Sequence, residues 1–269
     1  MRILFIGGGN MASALIGGML QRGFHPGDLR AVDVMQSARE QLAQRFGVRA
    51  NAELTNEIAE DVVLLAVKPQ HMHEMALALR SYLRGQLVIS IAAGIRTHDL
   101  ARWLGGHDRI VRAMPNTPAL IGSGVSGLFA SAAIGQEDRD CAQKILGAVG
   151  GVVWVANEPD IDAVTAVSGS GPAYVFYFIE ALEQAALELG LDDRQARELA
   201  VQTFVGAGAL VAGSDDPAAV LRARVTSKAG TTEAALLSME AHQIKSRIVE
   251  AVHAAARRAS ELGDQFGKM

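Results

Sequence analysis

Residues 3–12 read Ile3-Leu4-Phe5-Ile6-Gly7-Gly8-Gly9-Asn10-Met11-Ala12. Four apolar residues, suited to a strand buried on both faces, run straight into a G-x-G-x-x-A loop. Behind the loop, residues 11–22 carry helical spacing. Gly7 permits a tight turn, Gly9 lets backbone approach a pyrophosphate, and small Ala12 lets helix and strand pack closely. Gly8, Asn10 and Met11 complete the loop, and a helix starting near Asn10 aims its positive end at phosphates. A bland turn on an α/β sheet is the alternative, but it does not call for this strand–turn–helix context. The stretch predicts dinucleotide binding.

Further apolar runs stand at residues 29–34, 62–66, 87–91, 110–113 and 152–155, separated by helical stretches such as 37–46. Runs apolar on both faces belong to a parallel sheet covered by helices on both sides. The alternation predicts a doubly wound α/β domain over residues 1–158. Asp33 closes the second run, and no basic residue follows it before Arg39. A carboxylate there hydrogen-bonds adenosine ribose hydroxyls and repels a 2′-phosphate, which leans towards NADH; the alternative is a solvated loop carboxylate. Ala66-Val67-Lys68-Pro69-Gln70 places Lys68 just past a strand's C-terminal end, where open α/β sheets hold ligands. Met114-Pro115-Asn116-Thr117-Pro118 follows the 110–113 run as a stiff polar loop. Taken singly, both segments also read as structural strand-to-helix turns.

After Asn157-Glu158-Pro159 the strand signal ends. Residues 173–189 confine Glu180, Glu183, Gln184 and Glu188 to one narrow stripe, and 198–212 is apolar nearly all round. Such helices must be buried on most faces, and a region of this size cannot bury both by itself. An all-α domain over 159–269 that dimerises with a second copy is the expectation.

The 269 residues carry 25 basic and 29 acidic side chains, a net charge of −4, with no block of either sign. No nucleic-acid partner is expected, because phosphate binding needs clustered Lys and Arg. No apolar run reaches the roughly 18 residues of a membrane helix, and Ile3-Leu4-Phe5-Ile6 is too short for a signal peptide core. Cys141 is the only cysteine, so no disulfide forms within the chain. A soluble, cytoplasmic protein without membrane contact is predicted. His71-x-His73 with Glu74 would align as metal ligands only on a strand, whereas Pro69 opens a helix, so no metal is expected.

Five motifs stand in order: GGGNMASALIGG, LLAVKPQ, VRAMPNTPALIG, SGSGPAYVF and VTSKAGTTEAAL. Together, over essentially the whole chain, they resemble the pyrroline-5-carboxylate reductases, enzymes of the last step of proline biosynthesis. The resemblance implies a Rossmann-type N-terminal domain and a helical C-terminal dimerisation domain, with five dimers often assembled into a decamer. It implies reduction of the cyclic imine 1-pyrroline-5-carboxylate to L-proline with NADPH or NADH. By motif, Gly7, Gly8, Gly9, Asn10, Met11 and Ala12 hold the pyrophosphate, and Asn51 matches a family asparagine near the adenosine end. Ala66, Val67, Lys68 and Pro69 line the ribose and nicotinamide region, with Met114, Pro115, Asn116 and Thr117 near the nicotinamide. Val225, Ser227, Gly230, Thr231 and Thr232 bind substrate, and Thr232 is the catalytic candidate, its hydroxyl on the ring nitrogen.

The residue types suit that chemistry. A protonated imine is already an electrophile, so the protein's task is to position and shield the reactants. Gly230-Thr231-Thr232 precedes an apolar helix at 234–239 and offers backbone N–H groups to a substrate carboxylate; an ordinary Ser/Thr cap is the alternative. Two departures stand out. Many family members read Ser-Pro-Gly-Gly where this chain has Ser227-Lys228-Ala229-Gly230, and alanine at 229 is strained if that position needs positive φ. Asp33 stands where NADPH-preferring members often carry a small or basic residue, which predicts appreciable NADH use. The rivals are a related imine reductase or β-hydroxyacid dehydrogenase, and a non-catalytic dinucleotide sensor. Alcohol oxidation needs a positioned acid or base, in that superfamily a lysine on the first long interdomain helix; residues 168–174 hold none. A sensor would not need the polar cluster at 226–232.

Overall fold

The computed structural model describes residues 1–54 and 58–269. The chain forms two compact units, residues 1–170 with 255–269, and residues 171–254.

In the first unit, β1 (Ile3–Ile6), β2 (Leu29–Val32), β3 (Arg49–Asn51), β4 (Val62–Leu65), β5 (Leu87–Ser90), β6 (Ile110–Met114), β7 (Gly124–Ala130) and β8 (Gly150–Trp154) form one sheet. Its order is β3-β2-β1-β4-β5-β6-β7-β8. Every neighbouring pair is parallel except β6 with β7. Helices α1 (Asn10–Gln21), α2 (Gln36–Phe46), α3 (Met72–Leu79), α4 (Thr97–Trp103) and α5 (Gln136–Leu146) connect strands, and α6 (Asp160–Val164) follows β8.

Alternate residues of each central strand feed opposite faces. Ile3, Phe5, Val62 and Leu64 enter one core with Leu15, Ile16 and Leu42. Leu4, Ile6, Val63 and Leu65 enter the other with Met72, Leu79 and Leu100. Each such fully buried side chain stabilises the fold by ~1.5–3 kcal/mol. The chain steps outward from β1 through β2 to β3 and returns to β4 on β1's other side. That reversal makes the carboxyl ends of β1 and β4 the topological switch point, where open α/β sheets bind ligands.

Two strands lie outside the apolar runs. β3 is a three-residue, partly exposed edge strand, and β7, Gly-Val-Ser-Gly-Leu-Phe-Ala, is interrupted by glycine and serine. Pairing with the edges of β2 and β6 makes them strands, which hydrophobic periodicity does not register. β2 stops at Val32 rather than 34, because Asp33 turns to face the glycine loop. Residues 255–269 also join this unit. Phe266 packs into the second core, Asp264 pairs with Arg96 at 2.7 Å, and Arg102 donates to the Gly267 carbonyl at 2.7 Å.

The second unit holds α7 (Gly171–Glu188), α8 (Asp193–Ala212), α9 (Ala218–Arg224), α10 (Thr231–Ala241) and the first part of α11 (Ile244–Phe266). Among the described residues no strand lies beyond Trp154. α8 opens on a capping box between Asp192 and Gln195, two reciprocal hydrogen bonds that fix its start. α7 buries none of its residues and α8 only Ala196 and Ala200. Phe176, Tyr177, Leu199, Val205 and Leu210 are exposed, an apolar surface of the kind that marks an interface.

Candidate active site

The glycine loop leaves β1 at the switch point. Gly7 N–H donates to the Val32 carbonyl at 2.8 Å, and Ala66 N–H donates to the Ile6 carbonyl at 2.8 Å. Gly7 has φ +101°, and a Cβ there would stand 2.6 Å from the Ala66 carbonyl oxygen. Glycine at 7 is thus required by the meeting of two sequence-predicted site segments. A Cβ on Gly9, by contrast, would meet no protein atom within 4 Å. Gly9 is also the N-cap of α1, with no side-chain cap and no acidic residue in the first turn. The first N–H groups of α1 therefore face outward unpaired, with the dipole's positive end behind them. This open, uncapped cradle fits a dinucleotide pyrophosphate.

Asp33 closes the loop from the side. Its Oδ2 accepts Gly8 N–H at 2.6 Å and its Oδ1 accepts Met35 N–H at 2.8 Å. Its own N–H donates to the Asn51 carbonyl at 3.0 Å. The side-chain Oδ1 of Asn51 is buried without a hydrogen-bond partner, an acceptor with nothing to accept. Beyond β4, Lys68 is exposed and its carbonyl accepts His71 N–H at 3.0 Å. Pro69 opens the 3-10 turn Pro69–His71.

The segment after β6 is braced. Met114 ends β6, Pro115 and Asn116 are buried, and Thr117 is exposed at the start of a 3-10 turn. Asn116 Oδ1 accepts Val125 N–H at 2.9 Å and its Nδ2 donates to the Ser168 carbonyl at 3.1 Å. Ser168 lies in a π-helical turn, Thr165–Gly169, a device often found at functional sites. Met114 Cε reaches so close to Gly169 that a Cβ there would stand 2.7 Å away. Asn116 thus spends its amide on holding its own loop.

Sequence reasoning missed the root of this brace. Arg112, 2% exposed, places Nη1 3.3 Å from Glu158 and Nη2 3.3 Å from Asp162. Glu158 also accepts the N–H and hydroxyl of Thr97 at 2.6 and 2.8 Å. The cluster ties β6, the start of α4 and the β8–α6 connection together. An arginine inside the otherwise apolar run Ile-Val-Arg-Ala-Met was its one sequence signal, because a buried guanidinium demands carboxylates. Cys141 plays no such part: burial, then the nearby Asp138, pushes its thiol pKa up, away from thiolate reactivity. Among the described residues, no group of three or more His, Cys, Asp or Glu could hold a metal ion.

The second candidate loop lies in the other unit. Val225, Ser227 and Thr231 are exposed, while Gly230 and Thr232 are half-buried. Gly230 is the N-cap of α10 and no side chain caps it, so the ordinary Ser/Thr cap is not what these residues form. A Cβ on Gly230 would collide with Ser227 Oγ. Ala229 has φ +59°, the left-handed conformation that costs alanine ~1–2 kcal/mol. Its N–H donates to Glu233 Oε2 at 2.6 Å.

Comparisons with known proteins bear on both loops at once. Residues 158–262 match the model described as pyrroline-5-carboxylate reductase dimerisation, and residues 2–94 match NADP oxidoreductase, coenzyme F420-dependent. The pyrroline-5-carboxylate reductase of Pseudomonas aeruginosa is 44% identical over 99% of this chain and 98% of its own. The chain belongs to the pyrroline-5-carboxylate reductase family.

The solved reductase of Coxiella burnetii is 38% identical, with a TM-score of 0.92 over 97% of this chain and 98% of its own. That of Plasmodium falciparum, solved with NADP bound, is 28% identical with a TM-score of 0.85, covering 98% of each chain. Within the reductase family, the left-handed residue 229 makes the departure from Ser-Pro-Gly-Gly a backbone matter. This chain keeps the conformation that glycine adopts freely and bears the strain on alanine.

Proposed function

We propose that the chain reduces 1-pyrroline-5-carboxylate to L-proline with hydride from NAD(P)H, the last step of proline biosynthesis. The observation that carries this is near-complete alignment at 44% identity with a reductase of that name. In this reading residues 1–158 serve the dinucleotide and 159–269 serve substrate and dimerisation. Gly7 to Ala12 hold the pyrophosphate, Asp33 and Asn51 the adenosine end, and Ala66 to Pro69 with Met114 to Thr117 the remainder. When bound, the dinucleotide supplies the hydride. The chain's own residues bind and orient: the uncapped N–H groups of α10 receive the substrate carboxylate, and the Thr232 hydroxyl hydrogen-bonds the ring nitrogen. Val225, Ser227, Gly230 and Thr231 shape that pocket.

The exposed apolar side chains of α7 and α8 support a homodimer; assembly of five such dimers into a decamer rests on the family resemblance alone. Among the described residues no helix is long and apolar enough to cross a membrane, and the mild net charge of −4 favours neither nucleic acid nor lipid; we place the enzyme in the cytoplasm. Mixing chain, NADH or NADPH, and pyrroline-5-carboxylate should consume nicotinamide absorbance at 340 nm. Thr232→Val should lower kcat/KM by about 10²-fold while dinucleotide binding is kept, and Thr232→Ser should recover most of it. Absence of turnover with either dinucleotide would instead favour a sensor.

A further inference from the structure

We propose that Asp33 makes this chain select NADH over NADPH, an inference that deepens the dinucleotide assignment above and rests on it. The carboxylate cannot swing aside. Gly8 N–H holds Oδ2 at 2.6 Å, Met35 N–H holds Oδ1 at 2.8 Å, and the backbone is pinned to β3 by the Asp33 N–H bond to Asn51 at 3.0 Å. An ionised carboxylate has about four acceptor positions. Two are used by the backbone, so the outer face still accepts hydrogen bonds beside the second glycine of the loop. The adenosine ribose of NADH brings hydroxyl donors to such a face. The 2′-phosphate of NADPH brings acceptor oxygens and negative charge against a fixed negative charge.

A cation could offset that repulsion, and α2 offers two. Arg39 is turned back on its own loop, Nη1 donating to the carbonyls of Asp33 at 2.8 Å and Val34 at 2.9 Å. Arg45 lies over the Phe46 ring at 4.9 Å. To clasp a phosphate, Arg39 would have to abandon two hydrogen bonds that hold the β2–α2 turn. Geometry thus favours the ribose hydroxyls on both counts.

The test reads binding to the whole chain without turnover: Kd for NADH and NADPH from nicotinamide fluorescence, at low and high salt, for the native chain and Asp33→Asn. Native chain should bind NADH at least about tenfold more tightly, and salt should narrow that gap by screening the repulsion. Asp33→Asn keeps one acceptor for Gly8 and should shrink the ratio about tenfold, chiefly by tightening NADPH. If that variant does not fold, competition on native chain takes its place. Adenosine 5′-monophosphate should then displace NADH at lower concentration than adenosine 2′,5′-bisphosphate. NADPH bound as tightly as NADH overturns the proposal, as does a widening gap in salt, or an Asp33→Asn that weakens both ligands alike. Binding of neither overturns the dinucleotide site itself. NADH preference without imine turnover upholds this inference and breaks only the proposed reaction.

Discussion

Among the described residues α1, α5 and α10 each begin on a glycine N-cap that no side chain caps; α1 and α10 follow the two candidate loops, and those loops are held differently. The loop before α1 is fixed by the sheet: Gly7 is wedged against Ala66, and Gly8 is clasped by Asp33 from the neighbouring strand's end. The loop before α10 is fixed by its own sequence neighbours, Glu233 reaching back to Ala229 and Gly230 closing on Ser227. A buried scaffold over-determines the first. The second stands largely exposed and carries strain at Ala229. In the proposed reading the first loop seats a phosphate, which is the same from one dinucleotide to the next and suits a rigid seat, and the second receives substrate, with a shape set by local residues.

The sharpest way to break this contrast is Gly7→Ala. Its Cβ meets backbone, which cannot give, in a conformation alanine avoids. We expect a loss of about 2–4 kcal/mol in stability and of dinucleotide binding, by urea unfolding and fluorescence titration. A variant of unchanged stability would show the sheet does not constrain the loop. Ala229→Gly should act oppositely on the second loop. Relief of the left-handed strain, less glycine's greater unfolded-state entropy, leaves about 0.5–1 kcal/mol of stabilisation, read as a raised melting temperature at fixed protein concentration. A lowered one would mean that residue 229 is not left-handed in solution.

The smallest effect concerns how the sheet beneath the first loop is tied. Arg30 of β2 pairs with Glu60, just before β4, at 2.6 and 3.0 Å. Burial pushes the Glu60 pKa up, but the Arg30 hydrogen bonds and charge, together with backbone N–H donors at Glu60 and Ala59, outweigh it and hold the carboxyl below its ordinary value. A carboxylate depressed in the folded state contributes stability above its unfolded pKa and loses it as pH falls through the folded value. Glu60→Gln should therefore flatten the acid limb of a stability–pH profile below about pH 4.5, with little change at pH 7. An equally steep limb would remove this pair from the account of the first unit.

The first loop was legible because its constraints are local and chemical. Gly7, Gly9 and Ala12 announce a strand–turn–helix, and runs apolar on both faces announce a covered parallel sheet. β3 and β7 were not legible, because edge pairing rather than residue pattern makes them strands. Asn116 shows the same limit within the candidate site. Its place after β6 was readable, but its two hydrogen bonds were not: one joins it to Val125 across the following turn and the other to Ser168, 52 residues on.

What the amino-acid sequence determined by itself is what short range and periodicity encode: a Rossmann-type first half, a helical second half too apolar to stand alone, and two glycine-bearing loops. It also placed the strain at residue 229 conditionally, on whether φ there is positive. Tertiary structure settled that condition at +59°. It alone decided that Asp33 is held from both sides, that Arg39 turns inward, and that Arg112 finds Glu158 and Asp162. Those are meetings between distant segments, set by how strands order themselves in the sheet. No local pattern of residues specifies that order.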